Sequence, residues 1–579
     1  MNIFLEFKSL IIRELQELAV SGSIPKNLNF ENITVEPPRE KSHGELSTNA
    51  AMVLAKTAGL TPLKIAEFLA DRLQKDVRIN SLQIANPGFI NFNLSDHVWL
   101  EVLKSAFLKG SSFGRRNLGA GKKINIEYVS ANPTGPLHVG HTRGAVFGDA
   151  LANLMDFVGY KVTREYYIND AGSQIDSLAR SVYMRYLESF GTKFENKDFP
   201  YPGEYLVDVA ENLRKCFGKS LVNIDENGWF EKVKTFATEH ITEIIKKDLD
   251  ALGVFMDIYS SEKALYQSGK IEKAIELLDE KGLIFLGRLD PPKGKISEEW
   301  ESREQTLFKS TNFGDDVDRP VKKSDGNWTY FAPDIAYHHD KVERGFEELI
   351  DIFGADHSGY VKRMKAAVKA LSDDTVKLDI KLCQLVRLYK NGEPYKMSKR
   401  AGNFVTLRDM INEVGPDVVR FLMLTRKNDA PLDFDFDKAL DQSKENAVFY
   451  VQYAHARCCS ILKKAGQVDT EFLKEEPKNI SWHKLKNQSE KRVILKISEW
   501  PRIVELAAQS REPHRIAFFL FELSSDFHSW QHLGKVDPKK RILIAEKDLR
   551  TARLVLVHAV RSIIVSGLKI IGVTPLTKM

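Results

Sequence analysis

Two pairs of side chains in this chain are suited to chemistry on a nucleotide. His138 and His141 lie three apart in His138-Val139-Gly140-His141, and Lys396 and Lys399 lie three apart in Lys396-Met397-Ser398-Lys399. Imidazoles at i and i+3 share one face of a helix. At a helix start they add donors to backbone N–H groups that already favour an anion. Gly140 leaves no side chain where a nucleotide must approach. The lysines flank a small hydroxyl residue, Ser398, after the turn-rich Asn391-Gly392-Glu393-Pro394-Tyr395. Ammonium groups on such a loop can swing onto a pyrophosphate as charge builds there in the transition state. As an ordered pair the segments read as an adenylyl-transfer site, gripping ATP from both sides while a carboxylate attacks the α-phosphorus. Singly, a histidine pair is more often a cap or packing, and a basic loop is more often solvated surface.

The elements around the first segment strengthen that reading. Lys123 to Ser130 alternates like a strand, Ala131 to Pro136 is a Pro/Gly loop, a helix is expected from about Val139 to Phe157, and Gly159 to Ile168 is a second strand. Strand, helix, strand in this order predicts a doubly wound, Rossmann-like parallel sheet. Strand patterns resume at Trp328–Phe331, Glu348–Gly354 and Ile380–Val386. A helical, charged insertion is expected at about 175–290. Residues 1–105 read as a small α+β unit, 106–440 as the catalytic domain, and 441–579 as almost wholly helical, with a linker-like stretch at 110–121.

Composition bounds the rest. At 579 residues, with 43% hydrophobic and 28% charged residues, the chain is a multidomain globular protein. No apolar run reaches bilayer length, and the start carries acids rather than a secretory leader, so a cytoplasmic protein without a membrane partner is expected. Cys216, Cys383, Cys458 and Cys459 form no ligand spacing, and no structural metal is expected. The charge is unevenly spread: from residue 451 onward there are 23 Lys and Arg against 13 Asp and Glu, a net of +10 in a chain whose total is +5. A basic helical block on an acidic body suggests a polyanionic partner; a solvated helical face would show the same excess.

The two segments are versions of the signature motifs of class I aminoacyl-tRNA synthetases. Further stretches narrow the resemblance to the arginyl-tRNA synthetases: Glu127 to Leu137, Asn169-Asp170-Ala171-Gly172-Ser173-Gln174, Gly354-Ala355-Asp356-His357-Ser358-Gly359-Tyr360 and Tyr450 to Arg457. The resemblance covers nearly the whole chain. It implies arginine activation with ATP and Mg2+, transfer to tRNA and a tRNA requirement for adenylate formation; a monomer is expected. Its arginine pocket carries over to Glu127, Ser130, Asn132, His141, Tyr330 and Asp334, a set that suits a guanidinium with five donors. Its ATP site carries over to His138, Gly140, His141, Asp356, His357, Lys396, Met397, Ser398 and Lys399, with His138, His141, Lys396 and Lys399 catalytic. This chain departs from another branch of the family at Ser358, where that branch has glutamine, so Asp356 and His357 could fill that role or contact the ribose. The helical end resembles an anticodon-binding domain and the N-terminal unit a domain that contacts the tRNA elbow. Phe89, Tyr453 and Arg457 are the RNA-contact candidates, with Phe92 and Trp530 as weaker ones, core packing being the better expectation for Phe89 and Trp530.

Overall fold

The computed structural model describes every residue except 290–302, 396–404, 442, 444 and 469–479. An N-terminal helix, Ile3–Val20, packs with two further helices on an antiparallel sheet of β1 (Val35–Glu36), β2 (Leu46–Thr48), β3 (Ile79–Ala85) and β4 (Phe89–Leu94). The alternation of β4 turns Phe92 fully inward, where it cannot stack on a base, and leaves Phe89 at 36% exposure on the outside. For those two side chains the inside and outside are therefore the reverse of what their sequence context suggested.

The second layer system holds the site. β5 (Lys123–Glu127), β6 (Lys161–Ile168) and β7 (Ile258–Ser261) come first in the chain. A small antiparallel sheet of β8 (Ile284–Gly287), β9 (Gln305–Phe308) and β10 (Arg319–Lys322) follows, then β11 (Glu348–Gly354) and β12 (Lys377–Cys383). β5, β6, β7, β11 and β12 form one sheet in the order β12-β11-β5-β6-β7, and every neighbouring pair is parallel. The chain winds away from β5 in both directions, so the switch point lies between β5 and β11. A doubly wound sheet binds its ligand in the crevice beyond the strand ends at that point.

Three stretches differ from their sequence pattern. Trp328 to Tyr330 does not form a strand in a sheet: Trp328 makes one isolated bridge to Lys322, and Phe331–Glu343 is a helix with Tyr330 at its cap. The helical period of Ile335, Ala336 and His339 outweighs the short run of β-formers ahead of it. Residues 380–386 divide between β12 and a separate strand, β13 (Val386–Lys390), which pairs with β14 (Glu393–Pro394) and β15 (Leu432–Asp435). The stretch 110–121 is no loose linker. Phe113 is buried, its carbonyl accepts from Trp500 Nε1 at 2.8 Å, and Gly114 lies so close to that indole that a Cβ would stand 2.5 Å from it.

The helical end is built on Ala447–Val468, Gln488–Ser510, His514–Val536 and Lys547–Ile570. The last is long and apolar enough to cross a bilayer by length and composition, but its apolar face is buried as the core of this bundle. Trp530 is buried there too.

Candidate active site

The helix Val139–Phe157 starts at the crevice because the loop after β5 ends in His138, whose side chain caps it. His138 Nδ1 accepts from the Gly140 N–H at 3.1 Å, and His141 Nδ1 accepts from the His138 N–H at 3.3 Å. The two rings stack with centroids 3.8 Å apart and planes 23° from parallel. A Cβ on Gly140 would stand 2.9 Å from the His138 ring, so only glycine lets this cap close. Gly140 itself is exposed at the mouth. Lys396, Met397, Ser398 and Lys399 lie outside the described residues. The segment just after them is tied to the cap: His138 bridges Thr406, Val139 N–H donates to the Val405 carbonyl, and Leu407 N–H to the Leu137 carbonyl at 2.7 Å.

Beyond the end of β5 the backbone is bent into an uncommon conformation. Val129 has φ 72° and Ser130 φ 38°, both left-handed, and a β-branched residue rarely sits there. The bend aims the Ser130 hydroxyl back at Glu127 Oε1, 2.9 Å away, while its oxygen accepts from the Tyr167 N–H at 3.1 Å. Asn132 is exposed beside it and donates to Gln174 Oε1 at 2.7 Å.

Glu127 is buried, and its other oxygen accepts from Lys341 Nζ at 2.5 Å. Lys341 also donates to Asp351 Oδ1 at 3.2 Å, and its ammonium stands 4.3 Å over the Tyr337 ring. His338 joins the group, with Nε2 2.9 Å from Asp351 Oδ2 and Nδ1 2.8 Å from the Asp334 carbonyl. Burial alone would depress the Lys341 ammonium, but Asp351, Glu127 and Glu165 outweigh it and push it up. Burial likewise opposes ionisation of Asp351, yet Lys341 and His338 hold that carboxyl down at about 2. Among the described residues one group, Glu127, His338 and Asp351, has metal-ligand spacing. The Lys341 ammonium is bonded to two of the three, so the chain supplies that cation itself.

The opposite wall is acidic. Asp334 lies on the first turn of the helix Phe331–Glu343, with Tyr330 exposed at its cap. Glu262, directly after β7, lies close enough to feel its charge. Burial first, then the charges of Asp334 and Asp170, push the Glu262 carboxyl up to about 8. Burial, followed by the charges of Glu262 and Asp334, raises the hydroxyls of Tyr167 and Tyr266, so these rings line the same space. Two carboxylates crowding one tyrosine-lined recess suit a cation of more than one donor. Glu262 was not recognised from the sequence, because its four-residue strand lies inside a stretch whose pattern reads as helical insertion. The signal present was an acid immediately after Ile258-Tyr259-Ser260-Ser261, at a strand's carboxyl end. Asp356 and His357 follow β11 on a 3-10 turn, both exposed, with His357 Nε2 3.6 Å from Asp356 Oδ2. They stand at the switch point across from the histidine pair.

Far from the crevice, Tyr453 is 40% exposed and stacks on His528 at 5.4 Å between centroids. Arg457 is half-buried on the same helix, Ala447–Val468. Phe89 belongs to the N-terminal sheet, so the RNA-contact candidates occupy two separate regions.

Three family descriptions match the chain: "Arginyl tRNA synthetase N terminal domain" over residues 5–94, "tRNA synthetases class I (R), catalytic domain" over 103–459, and "DALR anticodon binding domain" over 451–579. The arginine–tRNA ligase of Ruegeria pomeroyi is 57% identical over an alignment of 580 positions that covers 100% of both chains. That of Paracoccus denitrificans is 55% identical, again over the whole of both. A solved Campylobacter jejuni structure, described as an arginyl-tRNA synthetase, superposes with a TM-score of 0.71 at 32% identity, covering 84% of this chain and 100% of that one. The Thermus thermophilus arginyl-tRNA synthetase superposes at 0.74 with 21% identity over 99% of both chains, a likeness of fold.

Proposed function

Because the chain belongs to the arginyl-tRNA synthetases, its activity is the joining of arginine to tRNA for translation, and we propose how its residues divide that work. ATP, entering as its Mg2+ complex, lies along the cap of Val139–Phe157, with His138, Gly140 and His141 on its phosphates and Asp356 and His357 toward its nucleoside end. Lys396 and Lys399, with Met397 and Ser398 between them, close on the leaving pyrophosphate. Arginine enters with its guanidinium against Asp334, Glu262 and Tyr330. Ser130, Asn132 and His141 hold its amino and carboxylate ends, and Glu127 acts from behind Ser130.

The carboxylate then attacks the α-phosphorus, pyrophosphate leaves, and arginyl-adenylate remains bound. The terminal adenosine hydroxyl of tRNA attacks the activated carbonyl and releases AMP. Neither step asks for much acid–base chemistry, so positioning and charge stabilisation supply most of the rate. A neutral analogue of arginine would forfeit the charge-assisted bonds to both acids of the far wall, which makes a separate editing domain unnecessary. The basic helical end takes the tRNA, with Tyr453 and Arg457 on its surface and Phe89 on the N-terminal unit as contacts. We place the enzyme in the cytoplasm as a monomer.

The observation that carries the assignment is the Glu262–Asp334 pair, a carboxyl held up to about 8 by burial and by the charges of Asp334 and Asp170. Aminoacylation measured with each amino acid in turn tests it, together with ATP–pyrophosphate exchange with and without tRNA. Arginine alone should be charged, and exchange should require tRNA; robust exchange with another amino acid would refute the pocket.

A further inference from the structure

The buried group beneath the crevice joins the two walls of the amino-acid pocket. Granted the roles of Ser130 and Asp334 in that pocket, on which the inference rests, we propose that Lys341 is a positioning residue for arginine activation: by bridging Glu127 and Asp351 it fixes the strand end that carries Ser130 to the helix that carries Asp334.

On the strand side, Lys341 Nζ fixes Glu127 Oε2 at 2.5 Å, and Glu127 Oε1 takes the Ser130 hydroxyl proton at 2.9 Å. With its proton committed and one lone pair on the Tyr167 N–H, the Ser130 oxygen keeps a second lone pair. That lone pair suits the α-ammonium of an amino acid. On the helix side, Lys341 lies on the same helix as Asp334, and that helix is tied to Asp351 of β11 twice, by Lys341 itself and by His338, whose Nδ1 stands 2.8 Å from the Asp334 carbonyl. One ammonium therefore ties the helix that carries Asp334 to the carboxylate that directs the serine hydroxyl. Lys341 is fully buried under Tyr337, so it acts through these groups and does not touch substrate.

An apolar side chain could fill the same volume, but removing the cation alone would strand Glu127 and Asp351 in a dry interior and lower stability. Such a side chain could not hold Glu127 Oε2 by a charge-assisted hydrogen bond. The carboxylate that takes the Ser130 hydroxyl proton would then be free to turn, and the lone pair aimed at the α-ammonium would lose its direction.

The test compares the full-length wild type with Lys341→Met, Glu127→Gln, Lys341→Met/Glu127→Gln and Asp334→Asn, reading KM for arginine, KM for tRNA and thermal midpoint. Lys341→Met should raise KM for arginine about 30-fold, the loss of one charge-assisted hydrogen bond, with KM for tRNA within about three-fold. The double variant removes the uncompensated carboxylate with the cation, so its midpoint should return toward wild type while its KM for arginine stays high. A Lys341→Met enzyme with KM for arginine near wild type would overturn the proposal. So would a double variant in which midpoint and KM recover together, because Lys341 would then serve stability alone. Should Lys341→Met fail to fold, the double variant carries the comparison with Glu127→Gln. A wild-type KM for arginine in Asp334→Asn would instead refute the pocket reading itself, which separates that failure from failure of the Lys341 bridge.

Discussion

Glu262 illustrates what one side chain decides. Its carboxyl is held at about 8, above its ordinary value, so the empty site keeps a proton there at neutral pH. A guanidinium binds the ionised form, so arginine binding releases that proton, and affinity rises with pH until about 8 and then levels. The gain between pH 7 and 8 should be about five-fold. Calorimetry in buffers of different ionisation enthalpy would read the proton directly, and Glu262→Gln should flatten the profile. The groups that face Glu262, namely Asp334, Asp170, Tyr266 and Tyr167, are unchanged in that variant. Asp334→Ala should raise KM for arginine by at least about ten-fold, since a half-buried charge partner is lost; normal arginine affinity would exclude it from the wall. His138, Gly140 and His141 were legible in the sequence because a cap needs specific residue types at fixed spacing. Glu262 was not, because a lone acid acquires meaning only when folding brings a second one beside it.

The helix Val139–Phe157 must be held still for its cap to work, and it is held by two buried guanidinium groups rather than by apolar contact alone. Arg143 donates to the carbonyls of Gln384, Ala430 and Lys427, at 2.8, 2.7 and 2.9 Å. Arg420 pairs with Asp149 of that helix and donates to the carbonyls of Ile571 at 3.0 Å and Leu252 at 3.1 Å. Arg420→Met should cost about 3–5 kcal/mol, because it strands Asp149 and the carbonyls in a dry interior. Urea unfolding would measure the loss, and Arg420→Met/Asp149→Asn should recover part of it. Neither clamp was visible in the chain: isolated arginines in amphipathic stretches look like any other surface cation. The strand pattern at Trp328–Phe331 misled for a related reason. Local β propensity names a tendency, and the packing of Phe331, Ile335 and Ala336 against their own core settled the helix.

At the scale of the whole molecule, the order of the three domains and the basic bias of the helical end could be read from motifs and charge. How tightly they meet could not. Arg511 of the helical end pairs with Glu348 of β11 and lies 3.1 Å from Asp379 of β12, while Asn2 of the N-terminal unit donates to Glu505 at 3.3 Å. If the basic end is the tRNA-docking surface, KM for tRNA should climb steeply between low and physiological salt. KM for arginine should change far less over the same range, and a flat profile for tRNA would count against that surface.

The Arg420 clamp has a consequence in time. Its acceptor at Ile571, the Gly572 pressed against the guanidinium, and the carbonyls of Thr574 and Leu576 that receive Gln452 and His455 all come more than a hundred residues after the catalytic match ends at 459. A growing chain with its sheet already emerged therefore has this helix held through Arg143 but not yet through Arg420. Shortening the chain to end before Ile571 should lower pyrophosphate exchange, although every residue assigned to that reaction precedes position 400. On a ribosome, the second clamp on that helix is thus among the last contacts of the enzyme to be completed.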